Sequence, residues 1–209
     1  MIRTILVFAI LAVAGCSQVQ THVDAHSSIP VDIAPKTVNI TPYNLADGNS
    51  LEWRTNAGIL AGILNQKGFE VVQGKQNARL TAKFGFLVDE GETVQSTYAI
   101  PQWGVTGYSG ARTTGTIYGN SYTANTSLTP TYGVTGYTTG MRTDVLFTRA
   151  ALLDIVDNTN KRTVFEGKAI SRGECFSFTP VAPQILGAML TNFPAGKTGQ
   201  VDLEWDGNC

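Results

Sequence analysis

Apolar and polar positions change period several times along this 209-residue chain, and each change marks an element. Residues 1–15 hold one basic side chain, Arg3, followed by an unbroken apolar run from Ile5 to Val13. That run is too short for a bilayer core about 30 Å thick and reads as the apolar region of a secretory signal peptide. Residues 16–35, "CSQVQTHVDAHSSIPVDIAP", show no sustained period and read as a polar tether. Residues 36–41 then predict a short strand. From 49 to 68 the residues Trp53, Ala57, Leu60 and Leu64 recur at helical spacing, with Asn49 and Glu52 as a capping box and Gly68 as the stop. Gly58 and Gly62 on this helix read as points of close approach to a sheet.

Two strands follow, at 69–72 and 78–91. In the second, Leu80, Ala82, Phe84, Phe86 and Val88 alternate with Arg79, Thr81, Lys83, Gly85 and Asp89, so one face packs and the other is wet. Residues 143–157 and 162–173 flank the turn-rich "NTNK" and predict a long β-hairpin. A second helix carries Ile185, Met189 and Phe193 on one stripe and stops at Pro194. Residues 199–205 end the pattern as a last short strand or an ordered tail held by a disulfide. The expected fold class is α+β: a single domain at 36–209 with a largely antiparallel sheet, two helices packed on one face and an inserted β-arm or loop at about 93–141.

That insertion differs in composition from everything around it. Thr93 to Met141 holds six of the seven tyrosines, thirteen threonines, eight glycines and one charge, Arg112. The string "GVTGY" occurs twice, at 104–108 and 133–137, as the two sides of an out-and-back excursion with Gly119 and Asn120 near its tip would require. Tyrosine offers an apolar face and a polar tip at low entropy cost, so Tyr108, Tyr118, Tyr122 and Tyr137 are the candidate partner-binding residues. A mobile loop that merely lacks a core has the same composition.

The overall balance of 15 basic against 16 acidic residues leaves no electrostatic footprint for nucleic acid. Both histidines, His22 and His26, fall in the expected tether, so no Ser-His-Asp or Cys-His site is expected in the folded domain, and no metal site or cofactor either. "AGKTG" at 195–199 lacks the upstream glycine and preceding strand of a phosphate loop. Asp89, Glu90 and Glu92 read as an acidic strand exit and not as paired catalytic carboxylates. Cys175 and Cys209 form an even pair, and in an oxidising compartment they predict a disulfide.

Two resemblances extend this reading. Val13-Ala14-Gly15-Cys16 resembles the lipobox of bacterial lipoproteins, which implies cleavage before Cys16 and acylation of that residue. Ser17 next to it, in place of Asp, implies the outer membrane. Separately, Leu64, Lys67, Gly68 and Phe69 at the end of the first helix, with Asp154, Lys161, Val164, Phe165 and Gly167 in the hairpin, resemble Gram-negative lipoproteins carrying a domain of unknown function. Phe165 stands where tryptophan is usual, and the cysteine pair is not part of that pattern. The resemblance brings no catalytic residues. The resulting expectation is a non-enzymatic accessory protein of the cell envelope, anchored through acyl chains on Cys16 and facing the periplasm. It would contact an envelope protein or a second copy through the Tyr-rich arm. The alternative is a module that binds peptidoglycan or another polysaccharide.

Overall fold

The structure is a computed structural model that describes residues 17–205 and Cys209. Cys16 and the signal-peptide segment lie outside the described residues. The chain divides into two compact units, Met1–Glu92 with Val145–Cys209, and Thr93–Asp144.

The first unit is built on a sheet of strands β1 (Ser17–Ser27), β2 (Thr37–Pro42), β3 (Glu70–Val71), β4 (Leu80–Val88), β6 (Ser121–Asp157, through its later part), β7 (Thr163–Gly173) and β8 (Lys197–Trp205). Their order is β3-β2-β4-β6-β7-β1-β8. β2 runs parallel to both β3 and β4, while β4–β6, β6–β7, β7–β1 and β1–β8 are antiparallel. The sheet is therefore mixed, which corrects the expectation of a largely antiparallel one. The reason lies in the first helix, α1 (Leu51–Gln66). Antiparallel neighbours can be joined by a tight turn, but a strand followed by a helix of this length returns as a crossover and pairs in parallel.

The tether is a second correction, because residues 17–27 form β1, which sits between β7 and β8. Val19, Thr21, Val23 and Ala25 point into the core, and Gln20, His22, Asp24 and His26 into solvent. Helix α2 (Ala182–Met189) packs on β1, β7 and β8, and α1 packs on α2 and the β2–β3 edge. The inward residues of β1 are small because α2 lies close over them. Small side chains gave the alternation little hydrophobic contrast.

Local chemistry explains the helix ends. Ser50, one residue later than expected, caps α1 by accepting the Trp53 N–H at 3.3 Å. Gly68, with φ +84°, ends it in the left-handed conformation, and the Phe69 N–H then reaches back to the Leu64 carbonyl at 3.0 Å. Trp53 Nε1 donates to the Phe84 carbonyl at 3.0 Å and ties α1 to β4. Phe69, Phe165 and Phe193 meet edge to face at centroid distances of 5.0 and 5.4 Å. Gly167 has to be glycine: a Cβ there would lie 2.8 Å from the Phe165 ring and 2.9 Å from Met189 Sδ. Gly58 and Gly62, in contrast, have no atom within 4 Å of a Cβ and do not mark a close approach to the sheet.

Candidate functional site

The second unit, Thr93–Asp144, is a two-stranded ribbon made from β5 (Glu92–Tyr118) and the early part of β6. Gly119, with φ +59°, and Asn120 form the two-residue turn that joins them. At about 3.3 Å per residue each strand has a contour of roughly 80 Å.

The two "GVTGY" copies pack into each other reciprocally. Gly104 faces Thr135 and Gly133 faces Thr106, and in each case a Cβ would lie 3.1 Å from the threonine Cγ2. The same threonines reach the opposite backbone: Thr106 Oγ1 donates to the Thr131 carbonyl and Thr135 Oγ1 to the Gln102 carbonyl, both at 3.3 Å. Nearer the turn, the Thr113 and Thr126 hydroxyls meet at 2.9 Å. The Tyr122 ring covers Gly115, where a Cβ would be 2.5 Å from it, and the Tyr98 ring covers Gly140. Glycine and threonine thus hold the ribbon together, and the aromatics are what it displays.

Side chains alternate between the faces of a strand. The Gly104–Thr135 contact places Tyr108, Tyr118 and Tyr137 on one face, and the Gly115–Tyr122 contact places Tyr122 on the other. All four are exposed, Tyr118 by 92 %. The four tyrosines therefore do not form one platform. Ile117 and Tyr132 share the face of Tyr122, and Trp103, 71 % exposed, was missed by a reading that counted only tyrosines. Counting alternate positions back from the Gly119-Asn120 turn would have found Ile117.

The remaining candidates lie in the first unit. Cys175 and Cys209 are bonded, with their Cα atoms 5.1 Å apart. His22 and His26 belong to β1, so the expectation that the folded domain holds no histidine is corrected. His26 Nε2 lies 3.1 Å from Asp24 Oδ1 on the exposed side of the strand. The hydroxyl of the next residue, Ser27, donates to the Pro194 carbonyl at 2.5 Å. Among the described residues no group of three or more His, Cys, Asp or Glu side chains is placed to hold a metal. Asp89 accepts the Thr148 N–H at 2.8 Å and the Gly91 N–H at 3.0 Å, and these bonds hold its carboxyl below the usual aspartate range. It closes the strand exit; Glu92 pairs with Arg172.

Among solved structures, a PDZ domain protein from Parabacteroides distasonis is similar at 10% identity and a TM-score of 0.44, over 90% of this chain. The chain spans 39% of that protein's length. Two PelC dodecamers from Paraburkholderia phytofirmans are similar at 14% identity and TM-scores of 0.42 and 0.43, over 85% of this chain and 99% of theirs. Comparison with curated proteins finds no match. A family profile described as "Domain of unknown function (DUF4136)" matches residues 32–195, from the loop before β2 to the residues after α2. On that match the chain belongs to the DUF4136 family.

Proposed function

We propose that this chain is a lipid-anchored, non-enzymatic protein of the cell envelope that acts as an interaction or accessory subunit through its aromatic ribbon. The observation that carries the reading is the ribbon's surface. Trp103, Ile117 and six tyrosines stand exposed on two strands whose only charge between Thr93 and Met141 is Arg112. An isolated two-stranded ribbon is at best marginally stable in water. Soluble proteins protect such edges with lysine, proline or a covering element. This ribbon has no lysine between Thr93 and Met141 and interrupts its edges with proline only at Pro101 and Pro130, so the stretches between are chemically suited to add a strand to the sheet edge of a partner protein, main chain giving affinity and aromatics giving selectivity.

The anchor in this reading is Cys16, acylated and inserted in the outer membrane from the periplasmic side. Each buried methylene contributes about 0.8 kcal/mol, so several chains hold the protein where one would release it. β1 starts at Ser17, the residue after Cys16, and Ser17 pairs with Trp205 of β8. The acyl chains therefore hold the end of the sheet directly at the bilayer, with no tether between.

Deleting 93–141 tests the reading. The shortened protein is expected to fractionate with the membrane as before and to lose its co-purifying partner. Unchanged partners and phenotype would refute it. A glycan-binding role is the second reading, supported by Tyr108, Tyr118 and Tyr137 sharing one face. Loss of co-sedimentation with purified sacculi on changing those three to alanine would favour it.

A further inference from the structure

One row on the core-facing side of the sheet is not apolar. It crosses β6, β7 and β1 as Arg149, Ser171 and Thr21, direct partners in the strand register. The three are 2 %, 1 % and 0 % exposed, among neighbours such as Ala151, Ala169 and Val23. Among the described residues, Arg149 Nε, Ser171 Oγ and Thr21 Oγ1 find no hydrogen-bond partner. Arg149 Nη1 donates to the Cys175 carbonyl at 3.5 Å. A guanidinium taken out of water with one of its donors unpaired is costly to the fold. Asp89, the acidic group that opposes its charge, already accepts two backbone N–H bonds.

Arg149 forms a wall of a cavity of about 340 Å³ whose other walls include Val19, Val181, Trp205 and the Cys175–Cys209 bridge. Apolar walls around one cationic group are the composition of a small-molecule site, and the volume falls within the usual range. The rim sets the charge of the occupant. Arg172 is engaged by Glu92, which leaves Arg149 as the cation facing an occupant, and the carboxylate of Glu174 at the rim disfavours a second negative charge on it. A dianion would leave a charge uncompensated. Ser171 and Thr21 keep the row polar without cancelling the guanidinium from its own sheet.

We propose that this cavity binds an apolar monocarboxylate, its carboxylate on Arg149 and its hydrocarbon body against Val19, Val181, Trp205 and the disulfide. Neither the anchor nor the ribbon enters the argument. The site stands on the buried guanidinium of Arg149 and the cavity that this residue lines.

The test is calorimetric titration of the purified protein with decanoate below its micellar range, beside decanol, acetate and inorganic phosphate. Decanoate is expected to bind at one site, about tenfold or more tighter than decanol, from a bond to a charged group. Acetate and phosphate are expected to bind more weakly still. Arg149→Met should abolish the preference for decanoate over decanol, and Arg149→Lys should keep part of it. Equal binding of decanoate and decanol by the unaltered protein, or no binding of decanoate, overturns the proposal without any variant. Equally tight acetate or phosphate would reduce the site to an adventitious ion position and overturn it as well.

Discussion

Asp157 shows how much one carboxylate does at the residue scale. It accepts Arg79 Nε at 2.9 Å and Nη2 at 2.8 Å, and the Thr159 N–H at 2.8 Å, with its side chain 6 % exposed. The bonds from Arg79 pull its pKa down to about 2. Free aspartate titrates near 4, so the pair's contribution is fully present above that value and is lost as pH falls through about 2. Asp157→Asn is expected to cost on the order of 2 kcal/mol in urea unfolding at pH 7. The gap should close near pH 2, and a gap that stays constant would mean that the interaction is not ionic. The alternating pattern put Arg79 on the wet face, because a period shows which way a side chain points and not which partner waits across the strand. Gly68 and Phe69, by comparison, were legible: a left-handed glycine followed by a buried aromatic is a local signal of a helix end.

At the scale of elements, what could be read followed hydrophobic contrast. α1, β4 and the β6–β7 pair carry large side chains on one face and emerge directly from the spacing of Leu60, Leu64, Phe84 and Leu153. β1 was hidden because Thr21 and Ala25 face inward under α2, and its polar side dominates the composition. The parallel pairing of β2 was missed although a helix between two strands implies it. Gly58 and Gly62 sit in the interior of α1 with open space beyond a Cβ, so Gly58→Ala and Gly62→Ala should each stabilise the protein by about 0.5–1 kcal/mol. A drop in melting temperature would show that an uncovered contact needs the glycines. The Cys175–Cys209 bridge closes a sequence separation of 34. Replacing both cysteines by serine should cost about 3 kcal/mol in the unfolding free energy.

For the whole molecule, the division of labour is between a sheet-and-helix unit with a continuous core and a ribbon unit that displays its aromatics. Composition marked the ribbon's limits and its turn, since Gly119-Asn120 between threonine-rich strands has few other uses. Which tyrosines share a face depends on register, and that is fixed by the Gly104–Thr135 and Gly115–Tyr122 contacts, which composition does not encode. The central claim, that the ribbon is a contact surface, is tested most directly by photo-crosslinking in living cells. Probes go at Tyr108 and Tyr122, on opposite faces, with a control at Gln66, exposed on α1. The account predicts one discrete protein adduct from at least one ribbon position and none from the control. No adduct from either ribbon position, or the same diffuse pattern from all three, would contradict it.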